Sequence, residues 1–285
     1  MIIDGKKIAG EIMENLAREI SKLPFQPTLC DVLVGNDSVS RSYVNIKKKA
    51  AARVGLNFLE INLPEDIVEE DLIKKINEIN RMANICGLIV QLPLPEHIEK
   101  TCVLNSVSPE IDVDCLNIQN LEKFYSEKLI LMPPTALAVI KILNSLPLNL
   151  EKLKIVVVGY GVLVGKPVVR MLEMQNLQCQ VVEKFTKNLN QIISSADVII
   201  SGTGQAGLIT GDMVKTGVIV IDAGTAEMEG GIFGDVDFAT VFPKVSFLSP
   251  VPGGVGPVTV AMLLSNVVEV AKKKAKNLHL WKNNV

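Results

Sequence analysis

Tyr43 and Lys47 place a phenol and an amine four residues apart in the stretch 38–55, SVSRSYVNIKKKAAARVG. An apolar stripe recurs here at helical spacing, formed by Val39, Tyr43, Ile46, Ala50 and Val54. Side chains four apart on a helix lie one turn above each other on one face. A phenol donates or accepts a hydrogen bond, and an amine moves protons once an apolar pocket disfavours its charge. The pair predicts proton-transfer chemistry, with an ordinary lysine-bearing surface helix as the alternative.

Gln91 and two aspartates are the next polar side chains that could serve a site. Gln91 ends the apolar run 87–92, where its amide could orient a neighbouring amine; a simple polar cap on a strand end is the alternative. Asp112 and Asp114 are two residues apart, so they point the same way from an extended stretch. One could accept hydrogen bonds from adjacent N–H groups of a heterocycle, whereas both could instead stabilise Asx turns.

A glycine-rich turn follows the apolar run 153–158 and contains Gly159, Gly161 and Gly165. Glycines between a strand and a helix let backbone amides approach a pyrophosphate, although this GxGxxxG spacing is looser than the common GxGxxG. Glu183 lies about 20 residues beyond the turn, where an acid commonly binds a ribose 2′-hydroxyl. The pattern indicates a dinucleotide-binding domain.

A second loop rich in glycine and proline, SPVPGGVGPVT, spans residues 249–259. Its glycines and prolines favour a fixed backbone that a ligand approaches closely, with loop geometry alone as the alternative. Pro257 suits the first turn of a helix that is predicted to continue through Val270.

Composition excludes several classes of protein. The chain has 285 residues, enough for two domains, and no apolar run approaches the length of a bilayer span. Acidic and basic residues are intermixed with a net charge of −2, so no nucleic-acid footprint is visible. Five scattered cysteines and two histidines give no metal or disulfide pattern. The N-terminus lacks a signal sequence, and we expect a cytoplasmic protein without metal.

Strands alternate with helices, which predicts an α/β fold with parallel sheets, divided into two units near residues 135–150. The predicted strands are 28–34, 58–63, 87–92, 153–158, 179–182, 197–201 and 218–222. The predicted helices are 7–22, 38–55, 67–82, 136–146, 167–176 and 257–270.

Together these motifs resemble the bifunctional methylenetetrahydrofolate dehydrogenase/cyclohydrolase family over nearly the whole chain. The matching blocks are Ile3-Asp-Gly-Lys, Ser40-Arg-Ser-Tyr-Val-Asn-Ile-Lys47, Gly87-Leu-Ile-Val-Gln-Leu-Pro-Leu-Pro95, Asp112-Val-Asp114, Val164-Gly-Lys-Pro167, Phe185-Thr-Lys-Asn188, Gly234-Asp235 and Pro250-Val-Pro-Gly-Gly-Val-Gly-Pro257. The resemblance implies an N-terminal folate-binding α/β domain over 1–140 and a Rossmann NAD(P)-binding domain over 141–258. It also implies a C-terminal helix over 259–285 that returns to the first domain, with folate in the interdomain cleft.

The resemblance assigns roles by position. Lys47 is the expected catalytic lysine, Tyr43 its neighbour over the pterin, Gln91 the residue that orients it, and Asp114 the ligand of the pterin N–H edge. The expected substrate-binding residues are Tyr43, Lys47, Gln91, Leu92, Pro93, Asp114, Pro252, Gly253 and Gly254. The expected cofactor-binding residues are Gly159, Tyr160, Gly161, Gly165, Glu183, Lys184 and Thr225.

The implied chemistry has two steps. A hydride passes from 5,10-methylenetetrahydrofolate to a nicotinamide, and water then opens the methenyl cation to 10-formyltetrahydrofolate. Water attack needs a base, which Lys47 could supply if an apolar pocket and the cationic substrate make it neutral. The resemblance also implies a homodimer formed through the Rossmann domain.

Several positions depart from the family pattern. Cys115 replaces a glycine, Ile111 a lysine and Glu183 a histidine, and Tyr160 stands where a small hydroxyl residue is usual. The blocks 133–138 and 221–225 keep only part of their patterns. NADP is the family's usual cofactor, but a carboxylate at residue 183 repels a 2′-phosphate, so NAD is a second option unless nearby lysines offset the charge.

Three other functions stay open from sequence. One is a paralogue that keeps the cyclohydrolase step but has weak dehydrogenase activity, because the cofactor turn is altered. A second is a non-catalytic folate- or nucleotide-binding protein. Lys47 argues against this function, because mere binding would not require an amine. The third is an unrelated Rossmann oxidoreductase, which would need neither the lysine helix nor the PVPGGVGP loop.

Overall fold

The computed structural model describes residues 1–126, 131–228 and 231–282, with side chains up to residue 277. The chain divides into two compact units. The first, called here the glycine-turn unit, comprises Met1–Gly10 and Thr135–Thr259. The second, called here the lysine unit, comprises Glu11–Pro134 and Val260–Val285. The predicted domain boundary at residue 140 falls inside the helix Pro134–Ser145, and the predicted boundary at 258 falls inside the helix Val255–Lys282.

The lysine unit is built on a parallel sheet whose described strands run in the order β2-β1-β3. Every residue of the central strand β1 is buried, as expected for a parallel strand covered on both faces. The elements of this unit are α1 (Gly5–Ile20, whose first turns belong to the other unit), β1 (Thr28–Val34), α2 (Ser38–Val54), β2 (Asn57–Leu63), α3 (Glu69–Asn80), β3 (Ile85–Val90), α4 (Lys100–Ser106), α5 (Ile118–Tyr125) and most of α10 (Val255–Lys282).

The glycine-turn unit contains a parallel sheet whose described strands run in the order β10-β7-β6-β4-β5, together with the antiparallel pair β8-β9. Its buried core consists largely of valine and isoleucine from the strands. The elements are α6 (Pro134–Ser145), β4 (Ile155–Val158), α7 (Gly165–Met174), β5 (Cys179–Val182), α8 (Leu189–Ser195), β6 (Val198–Ser201), β7 (Ile219–Asp222), β8 (Ala226–Met228), β9 (Gly231–Phe233), α9 (Phe238–Val241) and β10 (Phe247–Ser249).

The α/β fold class with two parallel sheets is confirmed. The strands predicted at 28–34 and 179–182 have the observed bounds, and the other predicted elements agree to within two residues, except for the last helix. That helix was predicted to end at residue 270 but continues to Lys282. The sequence did not predict α4, α5, α8, α9 or β8 to β10. These elements are only three to eight residues long, which is too short for a period to be recognised.

The buried face of α2 differs from the apolar stripe that the sequence suggested. The stripe included Tyr43 and Ile46, but Ile46 is exposed and Tyr43 is half-buried. The buried residues of the helix are Ser40, Val44, Lys47, Ala51 and Val54. The helix is rotated so that Lys47 faces inward, where its amine forms an ion pair with Asp31 of β1.

The helix α10 returns to the lysine unit, as the resemblance implied. Asn266 donates hydrogen bonds to the carbonyl oxygens of Val113 and Met132 at 2.8 and 2.9 Å, so the helix holds the segment around Asp114. By length and hydropathy, Val255–Asn277 could cross a membrane, which corrects the expectation that no stretch approaches that size. A share of 61% of its most apolar window is buried in the fold, as is usual for a core helix.

Candidate active site

Lys47 projects from α2 into the lysine unit, where its residue is only 8% exposed. Asp37 caps the start of α2 by accepting a hydrogen bond from the amide of Ser40 at 2.7 Å, which fixes where the helix begins. A buried ammonium group is costly unless charged or polar partners surround it. The neighbours of Lys47 therefore decide what the amine can do.

Asp31 is the charged neighbour of Lys47 and was not predicted from sequence. It lies in the middle of β1 with no exposed surface, and its Oδ2 is 2.6 Å from Lys47 Nζ. Burial raises the pKa of the Asp31 carboxyl, and Glu60 adds to the rise, while Lys47 lowers it. One signal was present in the sequence, a lone aspartate within the apolar strand TLCDVLV, where an unpaired charge would not be tolerated.

Gln91 is the second partner of the amine. Lys47 Nζ donates to Gln91 Oε1 at 2.8 Å, and Gln91 Nε2 donates to the Leu92 carbonyl at 2.7 Å. The Gln91 backbone amide also donates to Val32 O at 2.9 Å, which attaches the residue to β1. Both ends of the carboxamide are engaged, so its oxygen is held towards the lysine as the sequence suggested. The next peptide bond, Leu92–Pro93, is cis.

Asp112 and Asp114 have different environments. Asp112 is buried and accepts hydrogen bonds from the Asn117 amide at 2.9 Å and from Asn120 Nδ2 at 2.9 Å. Asp112 therefore stabilises the loop that contains it. Burial raises the pKa of Asp114 to about 6, and Lys47 partly offsets that rise. Asp114 is partly exposed and feels the charge of the lysine, so it is the aspartate that a ligand could reach.

Tyr43 lies one helical turn before Lys47 and is half-buried. The lysine unit thus gathers a phenol, an amine, a carboxamide and two carboxylates from α2, β1, the end of β3 and the loop after α4. The amine is paired with Asp31 and not enclosed by apolar groups alone, which corrects the simple picture of an apolar pocket around Lys47. The arrangement can bind a polar heterocycle and transfer a proton.

The glycine-rich turn in the other unit joins β4 to α7, and its three glycines have different constraints. Gly159 has φ +90°, a conformation that favours glycine. A Cβ on Gly165 would collide with the carbonyl oxygen of Gly159, whereas no described atom lies within 4 Å of a Cβ on Gly161. The turn needs Gly159 and Gly165 for its own shape, and Gly161 leaves open space in front of the backbone.

The remaining predicted cofactor residues are exposed around this unit. Tyr160 and Thr225 are exposed, and Lys166 Nζ lies 5.6 Å from the centre of the Tyr160 ring. Glu183 directly follows β5, and its amide donates to Thr186 Oγ1 at 2.8 Å. Lys184 Nζ lies 5.8 Å from the ring centre of Phe185. Exposed aromatic rings and lysines beside a strand end suit a nucleotide.

Two buried aspartates fix the loops beside the cofactor residues, and the sequence assigned them no role. Asp235 accepts hydrogen bonds from Ser201 Oγ at 2.6 Å and from the Thr203 amide at 2.6 Å. Asp222 accepts from the amides of Gly224 and Val236 at 3.0 Å each. Burial and the neighbouring Asp235 raise the pKa of Asp222 to about 7. The pair ties the ends of β6 and β7 to the segment after β9.

The PVPGGVGP loop packs against the start of the chain within the same unit. The amide of Gly5 donates to Gly253 O at 3.1 Å, and the amide of Gly254 donates to Pro250 O at 2.7 Å. A Cβ on Gly5 would collide with the Gly254 carbonyl, so this contact requires glycine. Pro252 is exposed and Gly253 half-buried, so part of the loop is accessible to a ligand, whereas Gly254 is buried. Among the described residues, no cluster of three or more His, Cys, Asp or Glu could hold a metal.

Sequence profiles decide the family. The profile of the tetrahydrofolate dehydrogenase/cyclohydrolase catalytic domain matches residues 3–114, and that of the NAD(P)-binding domain of the same family matches residues 133–275. The chain belongs to the tetrahydrofolate dehydrogenase/cyclohydrolase family. The first match contains Lys47 and the four polar residues around it, Asp31, Tyr43, Gln91 and Asp114. The second match contains the glycine-rich turn.

Individual members of the tetrahydrofolate dehydrogenase/cyclohydrolase family match along almost the whole chain. The bifunctional protein FolD of Sulfurovum sp. is 40% identical over 279 residues, which are 96% of this chain and 99% of the relative. The crystal structure of the bifunctional FolD of Campylobacter jejuni has a TM-score of 0.90 at 38% identity, covering 96% of this chain and 99% of that one. The FolD of Trypanosoma brucei, solved with NADP and an inhibitor, has a TM-score of 0.90 at 32% identity, covering 96% and 97%.

Proposed function

We propose that this protein oxidises 5,10-methylenetetrahydrofolate to the methenyl cation by hydride transfer to NAD(P), and then hydrolyses that cation to 10-formyltetrahydrofolate. Membership of the tetrahydrofolate dehydrogenase/cyclohydrolase family supports both steps. The observation that carries the proposal is the fixed position of Lys47, whose Nζ lies 2.8 Å from Gln91 Oε1 and 2.6 Å from Asp31 Oδ2. A mere binding protein would not need a buried amine held in this way.

The lysine-unit residues would have distinct tasks. Asp114 would accept hydrogen bonds from the N–H edge of the pterin, because an ionised carboxylate offers two acceptor oxygens and no donor. Tyr43 packs beside the pterin and hydrogen-bonds through its phenol. Gln91 holds Lys47 in place, and Lys47 acts on the one-carbon unit. Leu92, Pro93 and the loop Pro252, Gly253, Gly254 complete the proposed folate contacts.

Hydrolysis of the methenyl cation has a defined proton balance. Water forms a C–O bond with the methenyl carbon and gives one proton to the amine of Lys47. The C–N5 bond then breaks as the remaining hydroxyl proton moves to N5, which leaves the formyl group on N10. Lys47 returns its proton to solvent before the next turnover. The nicotinamide, when bound, supplies the hydride acceptor for the first step.

The cofactor would bind on the glycine-turn unit. The amides of Tyr160 and Gly161 would hold the pyrophosphate near the start of α7, where the helix dipole favours a negative charge. Gly159 would support this contact by shaping the turn, because its own amide donates to Val182 O at 2.8 Å. Gly165 shapes the turn, and Thr225 and Lys184 add polar contacts. We propose NADP as the cofactor in keeping with the family default, with Glu183 reducing the preference for NADP over NAD.

The role of Lys47 is tested by Lys47→Met. Because Lys47 forms an ion pair with Asp31, the experiment also needs variants of Asp31. Removing the amine alone leaves the Asp31 charge buried, so loss of activity could reflect an unstable protein. The variant Lys47→Met/Asp31→Val removes both charges, with Asp31→Val as its matched control. We expect the double variant to hydrolyse methenyltetrahydrofolate about 10²–10⁴-fold more slowly than the control, the usual contribution of a general base. Undiminished formation of 10-formyltetrahydrofolate would refute the assignment.

Glu183 is tested by comparing kcat/KM for NADP and NAD in the wild type and in Glu183→Ser. The variant should favour NADP by about tenfold more than the wild type, which corresponds to about 1.4 kcal/mol. Lys184→Ser provides the opposite control, because loss of a cation should weaken NADP and spare NAD. An unchanged cofactor ratio in Glu183→Ser would exclude this carboxylate from cofactor choice.

The remaining features of the proposal concern organisation. The folate-binding domain is taken as 1–140, the Rossmann domain as 141–258 and the returning helix as 259–285. We further propose a cytoplasmic homodimer that acts on a small folate without nucleic acid, membrane or metal, and that supplies formyl groups to biosynthesis, including that of purines. Sedimentation at several protein concentrations would test the dimer.

A further inference from the structure

We propose that Asp31 is a positioning residue that fixes the direction of the Lys47 amine and balances its charge while it carries a proton. The proposal rests on the function proposed above for Lys47. It adds a residue of β1 to the site as a second group that holds the amine.

Geometry supports a direct pairing. The Asp31 side chain is fully buried, the Lys47 side chain is 10% exposed, and their charged atoms are 2.6 Å apart. In the described part of the chain neither buried oxygen of Asp31 has a hydrogen-bond partner of good geometry, so the carboxylate depends on the nearby charge of Lys47. A buried carboxylate that has one cationic partner should hold that partner in its charged form.

Two groups hold the nitrogen of Lys47. It donates a hydrogen bond to Gln91 Oε1 at the end of β3, and Asp31 Oδ2 in the sheet lies 2.6 Å away as its counter-charge. Because these two acceptors belong to neighbouring strands β1 and β3, they fix the group against a rigid base. The position of the amine is therefore set by both groups, and this is the positioning that Asp31 supplies.

Other charged groups surround the pair. Glu60 lies opposite Asp31 on β2 and is itself 2.9 Å from Lys48. Asp114 interacts electrostatically with both Lys47 and Asp31. The titratable groups around the pair are Cys30 on β1, Lys48 and Arg41 on α2, Glu60 on β2, and Asp112 and Asp114 in the loop after α4.

The charge on Asp31 has a defined consequence for catalysis. Lys47 must lose its proton before it can accept one from water, so the acidic limb of the cyclohydrolase pH profile should report that loss. Without the carboxylate, the ammonium loses its closest counter-charge and gives up its proton at lower pH. A purely structural role for Asp31 would change the amount of folded enzyme but would leave the position of the limb unchanged.

The experiment compares kcat/KM for methenyltetrahydrofolate hydrolysis against pH in the wild type, Asp31→Asn and Asp31→Val. Removing an opposite charge at this distance should move the acidic limb about 1–3 pH units lower in both variants. Glu60→Gln is the matched control, because it removes the carboxylate opposite Asp31 on the next strand and leaves the Lys47 pair intact. Its limb should move much less than that of either Asp31 variant, because Glu60 acts on the pair only from the neighbouring strand.

A second measurement does not depend on activity. In protein labelled with ¹³C,¹⁵N-lysine, the Lys47 signal is assigned by its absence from Lys47→Met/Asp31→Val, and its titration is followed in each variant. We expect Lys47 to titrate at lower pH in Asp31→Asn and Asp31→Val than in the wild type. Coincident titration curves would overturn the proposal, as would an unmoved kinetic limb. If the wild type showed no hydrolysis, the proposed function would fail while the NMR titration still tested the pair.

Discussion

Asp31 and Glu60 lie opposite each other on the parallel strands β1 and β2, and each forms an ion pair with a different lysine of α2. The Lys47–Asp31 pair is buried, whereas the side chain of Lys48 in the Lys48–Glu60 pair is 53% exposed. Water screens the exposed pair, while the buried pair must balance its own charges. The ion pairs of the adjacent residues Lys47 and Lys48 should therefore differ greatly in how much free energy of unfolding is lost when the lysine is removed.

Lys47→Met should lower the free energy of unfolding by about 3–5 kcal/mol at pH 8, because it leaves a buried carboxylate without a partner. Asp31→Val in the same chain should recover most of that loss. The pKa of Asp31, already raised, should rise further in Lys47→Met, so the loss should shrink as pH falls and the carboxyl takes up a proton. Urea unfolding at pH 5 and pH 8 measures both effects.

Lys48→Met is the control for that series and should cost less than about 1 kcal/mol, as is usual for an exposed pair. Equal losses in Lys47→Met and Lys48→Met would show that the buried pair contributes no more than the exposed one. A loss in Lys47→Met that did not depend on pH would contradict the role of Asp31 as its cause.

Asp114 should make folate binding depend on pH. Its pKa is raised to about 6, and a protonated carboxyl can no longer accept hydrogen bonds from adjacent pterin N–H groups with both oxygens, because one of them carries the proton. The Kd of a pterin ligand should therefore rise about tenfold for each pH unit below about 6. Calorimetry in the wild type and in Asp114→Asn measures this slope, which should be absent from the variant. Titration of the ligand itself contributes equally to both proteins.

In the ligand-free protein, Asp114 should have the opposite effect, because its protonated form favours the folded state at low pH. A carboxyl whose pKa is raised by folding stabilises the native state at low pH, and that contribution is lost as pH rises from about 4 through about 6. The free energy of unfolding of Asp114→Asn should change less over this range than that of the wild type. An identical pH dependence in both proteins would exclude Asp114 as a source.

Gly161→Ala and Gly165→Ala should separate cofactor binding from folding. A Cβ at residue 161 meets open space, so stability should be unchanged, but the methyl group would obstruct the approach of a pyrophosphate. A Cβ at residue 165 collides with the Gly159 backbone and should destabilise the protein by at least about 1 kcal/mol, the lower end of the usual cost of overpacking. Thermal unfolding and the cofactor KM measure the two effects. A normal KM in Gly161→Ala would place the cofactor elsewhere.

At residue 115 the usual order of stability, with alanine above glycine, should be reversed. It has φ +58°, a left-handed conformation that costs roughly 1–2 kcal/mol for a residue with a Cβ. Cys115→Gly should therefore be more stable than Cys115→Ala, although both remove the buried thiol. Cys86, equally buried in β3 and without a positive φ, is the matched control, and there Cys86→Ala should be the more stable variant. Urea unfolding of the four variants decides the matter.

The sequence alone determined the fold class, because strand and helix periods of the longer elements depend on local pattern and not on distant contacts. It also identified Lys47, Gln91 and Asp114 as candidates, since these lie in distinctive blocks. The short helices and the pair β8-β9 were not predictable, because elements of this length are formed by tertiary packing and hydrogen bonds such as those of Asp222 and Asp235.

Only the tertiary structure decided which face of α2 is buried and what stands beside its lysine. Apolar spacing suggested a stripe through Ile46, yet the helix turns Lys47 inward. The reason is the charge of Asp31, which lies 16 residues earlier in the chain and is brought to 2.6 Å by the packing of α2 on β1. Pairing across elements leaves no period in a sequence, so the partner of the amine became visible only once the sheet and the helix were assembled.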